Sequence, residues 1–556
     1  MAIELPTGYH LKNFLTLIRF VRSQYADLLK VEELDYAENF ESLSEQAQSL
    51  YVRLVLRKGP VFRSDKLRYV DIPNVDLCAT ELASAGYLDY TVDENELLEL
   101  LTKAELLVWA PDAVGAKKMK RDELVIFVQS AVELSFHTMP FSTFRPLGAD
   151  RLLLYRLLFF GNLNQDFSEF VLADMGMLKY ENYTISPSSR LFNSRESIDH
   201  CWKLYEIGEA CEELILHQKF DQLGELANQI PAMSHNKEIV NSVLFRRQDR
   251  LLNYIGRHLE RQDFIEDSLY LYGLAQSPPA RERRVRILNK QGKEPESLRL
   301  CEEIILSAAN EEELEFATRF AQKISKKLYG ESSVDAEILE FKTQTLELEK
   351  PNSNSLGVEE AVRLWFEKKG DQCFYVENGL VPSLFGLCFW DIIFIPLQGA
   401  FVNPFQRGPL DLFSSSFRLS RDEAISARLQ ELELPGEIER RVYSIFAEKK
   451  GITNYFVRWE LLTSELLDLA ITRIPDRDLI SMFLRMLFDL RSNCSGFPDL
   501  INFPSECGCG SPNDRNYEMV EVKGPGDKLQ LNQKRWIKAF SSNNIPFSLV
   551  RVEWLT

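Results

Sequence analysis

Histidine is scarce in this chain, and it stops early. All six histidines (His10, His137, His200, His217, His235 and His258) lie before residue 259 of 556. The C-terminal half therefore lacks the imidazole on which HNH, His–Asp phosphodiesterase and Ser- or Cys-His mechanisms depend. Long apolar runs are missing as well. No stretch approaches the ~20 residues needed to cross a bilayer. Met1-Ala2-Ile3-Glu4-Leu5-Pro6 also lacks the basic-then-apolar order of a signal peptide, so a cytoplasmic protein is expected. The nine cysteines follow no disulfide framework, and an odd count suits a reducing compartment. Cys494, Cys507 and Cys509 cluster in sequence. Without a nearby histidine or a fourth cysteine, free thiols are expected there in preference to zinc or an iron–sulfur cluster.

Positive charge is in short supply too. Lysine and arginine number 65 against 83 acids, a net charge of −18. Spread evenly, that balance would oppose nucleic-acid binding, but it is not even. Residues 53–68 hold Arg53, Arg57, Lys58, Arg63, Lys66 and Arg68 against the single acid Asp65. A second island is Lys117-Lys118-Met119-Lys120-Arg121, and a third runs from Arg281 to Arg286 with Lys290 and Lys293. Each phosphate neutralised releases counterions, so roughly six to ten such contacts dominate affinity for DNA. An acidic remainder would repel DNA from everywhere except those tracks. Phe62, inside the first island, is a candidate stacking or wedge residue.

What the chain does carry in its last sixty residues is a pattern of acids on strands. In Tyr517–Gly524, period-2 alternation puts Met519, Glu521 and Lys523 on one face and Val520 and Val522 on the other. A second strand-like run, Pro498–Phe503, brings Asp499. Two carboxylates can hold a hard divalent cation through oxygen. A lysine beside them can orient the attacking water or offset charge on phosphate. A helix follows, with Leu529, Gln533, Trp536, Ile537 and Phe540 on one stripe, so a single amide lies on its buried face. The apolar strand Phe547–Trp554 closes the pattern of a small α/β nuclease core. Alone, such a P-D…E-x-K pattern also fits an edge strand with two exposed charges.

Residues 496–554 resemble a VRR-NUC domain of the PD-(D/E)xK nuclease superfamily, with Gln533-x-x-Trp536 in the expected helix. The likeness extends upstream through Glu377-Asn378-Gly379, the Leu384–Phe394 segment, Pro409-Leu410-Asp411-Leu412, Ala427-Arg428-Leu429 and Tyr51-Val52-Arg53-Leu54…Arg57-Lys58. These segments resemble the Fanconi anaemia-associated nuclease family, and the chain looks like a bacterial member. The resemblance implies that Glu377, Asp499, Glu521 and the carbonyl of Val522 bind one or two Mg²⁺ or Mn²⁺ ions. It implies that Lys523 is the catalytic lysine, with Gln533 steadying the lysine or the phosphate. Two departures stand out. The stretch 505–514 lengthens the interval between the strands, as a Gly-, Pro- and Asn-rich hairpin would. Asn532 stands where some relatives hold a 5′-terminal phosphate with lysine, although Arg491 could contribute there.

The expected fold is multi-domain and mainly α, with helical DNA-binding N-terminal domains, a TPR-like helical middle and a C-terminal α/β PD-(D/E)xK core. The expected divisions are a helical domain at 1–70, a SAP-like or winged-helix-like DNA-binding domain at 71–190, a TPR-like domain at 191–350 and the nuclease domain at 351–556. Leu11, Phe14, Leu15, Ile18 and Val21 form the first apolar stripe. Paired segments at 250–261, 265–275, 279–290 and 296–307 mark helical hairpins. The implied function is a structure-specific nuclease that cuts branched DNA with a 5′ flap or free 5′ end, with 5′-to-3′ exonuclease activity, in DNA repair that includes interstrand crosslinks. A junction resolvase or restriction-type nuclease on the same core is one alternative. A helical-repeat repair scaffold is the other. No membrane partner is expected.

Overall fold

The computed structural model describes residues 8–109, 115–131, 140–165, 178–230, 242–330, 341–349, 357–505 and 516–555. The expected hairpin around Cys507 and Cys509 lies outside them. The chain forms two compact units, Met1–Met177 with Ser186–Ser188, and Leu178–Ile185 with Ser189–Thr556.

In the first unit, helices Tyr9–Tyr25, Val31–Ser42 and Glu45–Val55 enclose an aromatic core. Phe14, Phe40, Tyr51 and Tyr87 are all buried in it. The first helix buries Leu11, Phe14, Leu17, Ile18 and Val21. Leu15, expected on that stripe, is only half-buried, because a 3.6-residue period carries position 15 to the edge of the face and brings Leu17 into it. Three short strands, β1 (Phe62–Arg63), β2 (Leu88–Asp89) and β3 (Thr143–Pro146), form an antiparallel sheet in the order β1–β3–β2. Helix Glu94–Leu100 starts at a reciprocal cap, in which Asp93 accepts from Glu96 N–H and Glu96 accepts from Asp93 N–H.

The second unit begins with helical hairpins. Helices Arg195–Leu216, Phe220–Ala227, Ser242–Arg261 and Ile265–Leu274 share one core, and Ala280–Lys290, Glu294–Leu306 and Glu311–Tyr329 extend it. This is the expected TPR-like stack, and the third basic island lies inside it. Its arginines are largely spent on acids: Arg281 pairs with Glu313 (2.6 Å), Arg283 with Glu260, and Arg286 with Glu282 (2.9 Å). The island is structural, because acids on neighbouring turns and helices meet it when the helices stack.

A five-stranded mixed sheet follows, in the order β4 (Lys342–Glu349), β8 (Phe547–Leu555), β7 (Glu518–Lys523), β6 (Leu500–Phe503), β5 (Gln372–Tyr375). β4 runs parallel to β8 along its full length, so the sheet recruits a strand from before residue 351. Helix Val358–Lys368 covers one face, where Val362 and Phe366 meet Leu500, Val520, Val522 and Val550. Helix Leu531–Ser542 covers the other, where Trp536 and Phe540 meet Ile501, Met519 and Leu549. The alternation expected for β7 is therefore realised. Between β5 and β6 the chain inserts a helical layer, residues 380–493, into the same core. The Leu384–Phe394 segment spans two helices, Leu380–Cys388 and Trp390–Ile393, which break at Phe389.

Candidate active site

The acids converge because of strand register. In antiparallel β6 and β7, Leu500 faces Val520, so Asp499 stands opposite Glu521. On the other side, Tyr375 faces Leu500, and Val376 N–H donates to the Asp499 carbonyl at 2.8 Å. Glu377 lies two residues past the end of β5. Continuing that register across the three strands, Val376, Asp499 and Glu521 share one row, and Glu377 lies one residue beyond it.

Glu521 is almost wholly buried, at 1% exposure, and Asp499 is 8% exposed. Asp499 Oδ2 accepts the Val522 N–H at 2.8 Å. Glu521 Oε1 accepts from Lys523 Nζ at 2.7 Å and from Gln533 Nε2 at 2.5 Å. Gln533 Oε1 in turn accepts Gln530 N–H at 2.9 Å, which fixes the amide's orientation at the helix start. Gln533 therefore touches the carboxylate, rather than the lysine. Glu377 accepts from Tyr375 Oη and from Asn378 Nδ2 (3.1 Å). Val522 turns its side chain to the opposite core, so only its backbone can take part.

Burial raises the Glu521 carboxyl to about 8, with the charge of Asp499 adding to it and Lys523 partly offsetting it. Burial likewise raises Asp499 to about 6, with Glu377 and Glu359 pushing in the same direction. Two buried acids that resist ionisation mark a site short of positive charge. Among the described residues, no three acid, histidine or cysteine side chains gather closely enough to hold an ion as they stand. Glu377 is turned to Tyr375, and Glu521 to Lys523. The donor set of hard carboxylate oxygens nonetheless fits a divalent cation and would suit no soft metal.

Two residues to which the sequence reading gave no role hold these acids in place, and a third, Glu359, adds negative charge beside Asp499. Asn378 sits at φ 48, a left-handed conformation asparagine tolerates, and its Oδ1 accepts Phe497 N–H at 3.1 Å. It thereby ties Glu377 to the loop that leads into Asp499. Gly496, at φ 86, lets that loop pass over Asn532, where a Cβ would stand 2.8 Å from the backbone. Glu359 opens the Val358–Lys368 helix, and its acid in the first turn was the only signal of it.

The basic residues divide sharply. Arg63 is corrected: it is 5% exposed, ion-paired to Asp65 (2.9 Å) and Glu105 (2.7 Å), and lies over the Phe141 ring at 3.8 Å. Arg53 is bound through both amino nitrogens to Asp71 at 2.8 Å, and Arg121 is held by Glu99 and by the Leu101 carbonyl. In all three, local acids hold the guanidinium group. Arg57, Lys58, Lys66, Arg68, Lys117, Lys118 and Lys120 are exposed, and Phe62 is half-buried. Arg491 is exposed beside two arginines the sequence did not suggest, Arg246 and Arg250. Arg246 donates to Ser414 Oγ and Ser416 Oγ, each at 3.2 Å. Burial, and then the charges of Arg250 and Arg491, hold Arg246 below the usual guanidinium range despite Asp411.

This geometry has close counterparts. The VRR-NUC domain model matches residues 435–554, and the model "FAN1, HTH domain" matches residues 8–89. A Fanconi-associated nuclease 1 homolog of Pseudomonas aeruginosa is 35% identical, over 98% of this chain and 96% of its own. The chain belongs to the Fanconi-associated nuclease family. The human Fanconi-associated nuclease 1 is 23% identical over 95% of this chain and 61% of its own length. A crystal structure of paFAN1 bound to 2nt 5′flap DNA with gap superposes with a TM-score of 0.80, at 33% identity and full coverage of both chains. Membership makes this protein a nuclease that works with a divalent metal and acts in DNA repair. Among the described residues, no helix is long and apolar enough to cross a membrane.

Proposed function

We propose that this nuclease hydrolyses phosphodiester bonds in branched DNA, beside a 5′ flap, and degrades strands from a free 5′ end. Its setting would be repair that includes interstrand crosslinks, in the bacterial cytoplasm. The observation that carries this is the Asp499–Glu521–Lys523 group on one sheet face of a chain whose relative was crystallised on 5′-flap DNA.

Asp499, Glu521, Glu377 and the Val522 carbonyl would hold one or two Mg²⁺ or Mn²⁺ ions. When bound, the metal supplies positive charge for the attacking water and the leaving oxygen. The residues do the rest. Glu521, anchored by Gln533 and Lys523, keeps its carboxylate aimed along the row. Lys523 Nζ, held at 2.7 Å from that carboxylate, can orient water and offset charge accumulating on the phosphate. Asn378 and Tyr375 hold Glu377 at the open end.

Exposed Arg57, Lys58, Lys66, Arg68, Lys117, Lys118 and Lys120 would track the backbone of duplex arms, and Arg491 with Arg246 and Arg250 would meet a phosphate near the cut. Selection would then rest on DNA shape instead of base identity. Functional divisions would fall at 70 and 190, and a third near 340 in place of 350, so that β4 goes with the nuclease sheet.

End-labelled 5′-flap, 3′-flap, four-way-junction and plain duplex DNA, each with Mg²⁺, with Mn²⁺ and with neither, test the reading. One cut near the 5′ flap is expected, and paired symmetric nicks in the junction would favour a resolvase. Asp499→Ala and Lys523→Ala should abolish cleavage while flap binding stays within about threefold. Normal cutting by Lys523→Ala in Mg²⁺ would remove the site.

A further inference from the structure

The first unit holds an open-mouthed cavity of 690 Å³, within the range of small-ligand sites, roughly 300–1,000 Å³. It lies between the 57–67 segment and the Glu94–Leu100 helix. Its apolar lining comes from Val61, Phe62, Leu67 and Leu100, and cations Arg57, Lys58 and Lys66 also line it. A neighbouring cavity of 350 Å³, lined by Tyr90, Leu97 and Phe141 among others, has no cation in its lining.

The charge around the larger cavity is not balanced within it. Its two acids are already engaged, Glu96 with Arg145 and Glu99 with Arg121 at 3.1 Å. Arg63, also in the lining, is neutralised by Asp65 and Glu105 and braces the wall. Lys66 stands a loose 3.7 Å from Asp65, whereas Arg57 donates to Tyr69 Oη at 3.0 Å. Among the described residues, neither Arg57 nor Lys58 has a carboxylate partner. The cavity thus offers an apolar hollow beside available positive charge.

We propose that this cavity binds one unpaired nucleotide of the DNA substrate, its base against Phe62 and Leu100 and its phosphates at Arg57 and Lys58. A duplex cannot enter a hollow of this size, whereas a single base can leave a strand and stack on an aromatic side chain at about 1–3 kcal/mol. The assignment rests on the branched-DNA reading for its ligand and adds a base contact to a surface otherwise understood as a phosphate track. Every base has an apolar face, so the contact selects unpaired over paired nucleotides without selecting sequence.

The test measures binding of the full chain in EDTA, which prevents cleavage. The probes are 5′-flap DNA and a single-stranded oligonucleotide, each with an abasic site moved along the unpaired strand one position at a time. At one position the abasic site should weaken wild-type binding about tenfold, within the range of one base–aromatic stack. Phe62→Ala and Phe62→Leu should lose the same factor on intact DNA and nothing further on abasic DNA, whereas Lys58→Gln should weaken both probes equally. If no position matters, or if Phe62→Leu weakens intact and abasic probes alike, the pocket is overturned. A base effect on the single strand, with no preference for flap over duplex, keeps the pocket and overturns the flap as its source.

Discussion

At the scale of single residues, the site is defined by side chains that hold other side chains. Gln533 contributes no charge, yet its amide is pinned by Gln530 and delivers a hydrogen bond to the most buried acid of the site. Residues that orient a ligating carboxylate typically cost 10–100-fold when removed. Gln533→Ala should therefore lower kcat by about that factor with flap affinity unchanged, and single-turnover cleavage measures it. A second residue-scale device lies away from the chemistry. Burial opposes ionisation of Asp391, but the guanidinium groups of Arg428 and Arg441 outweigh it and hold the carboxyl at about 2. The unfolded chain releases that proton near pH 4. This acid's stabilisation is therefore present above about pH 4 and lost as pH falls from about 4 to 2. Asp391→Asn should flatten the acid limb of thermal unfolding between those values, and scanning calorimetry across that range checks it.

At the scale of elements, the Leu531–Ser542 helix joins the reactive row to the helical stack. One turn holds Gln533 against Glu521, and two residues on, Arg535 meets Glu315 of helix Glu311–Tyr329 through two bonds of 2.9 Å. Glu311 N–H donates to Asp489 at 3.1 Å beside it, and Trp536 donates to the Ser495 carbonyl at 3.1 Å. Breaking the Arg535–Glu315 pair leaves a charge only 6% exposed without its partner, at a cost of about 2 kcal/mol given the partial exposure of Glu315. Glu315→Gln and Arg535→Gln should each lower Tm and slow cleavage more than they weaken binding. The swap Glu315→Arg with Arg535→Glu should recover part of both, and failure to recover would mean that the helix needs only packing.

For the whole molecule, the question is how an acidic protein grips a polyanion. The answer lies in which basic residues folding leaves unpaired. Arg53, Arg63 and Arg121 are bound to acids, whereas Arg57 and Lys58 have no acid partner among the described residues. Charge reversal at Arg57 and Lys58 should weaken binding to all sequences alike and reduce the log–log salt slope by about 2, near 0.9 for each phosphate no longer neutralised. Titrations at several salt concentrations would read this directly, and an unchanged slope would remove these residues from the interface.

Much of the site was legible in the linear chain because its chemistry is local. Two residues on one strand, Glu521 and Lys523, share a face by period alone, and the single glutamine on an apolar helical stripe needed a partner. The paired helices of the middle region were legible for the same reason, since 3.6-residue periodicity survives without knowledge of the neighbours. Partners distant in sequence were not legible. Nothing along the chain tells whether an arginine faces solvent or an acid forty residues away, as Arg63 does with Glu105. β4 looked like the end of a helical domain, because an edge strand with polar alternation carries only Leu346 and Leu348 as apolar marks. The sequence by itself thus determined the reactive groups, their spacing and the elements that bear them, since those depend on local backbone periodicity. Tertiary structure alone decided which acids meet, which cations stay free and where a hollow opens, because these depend on cross-strand register and on contacts between segments remote along the chain.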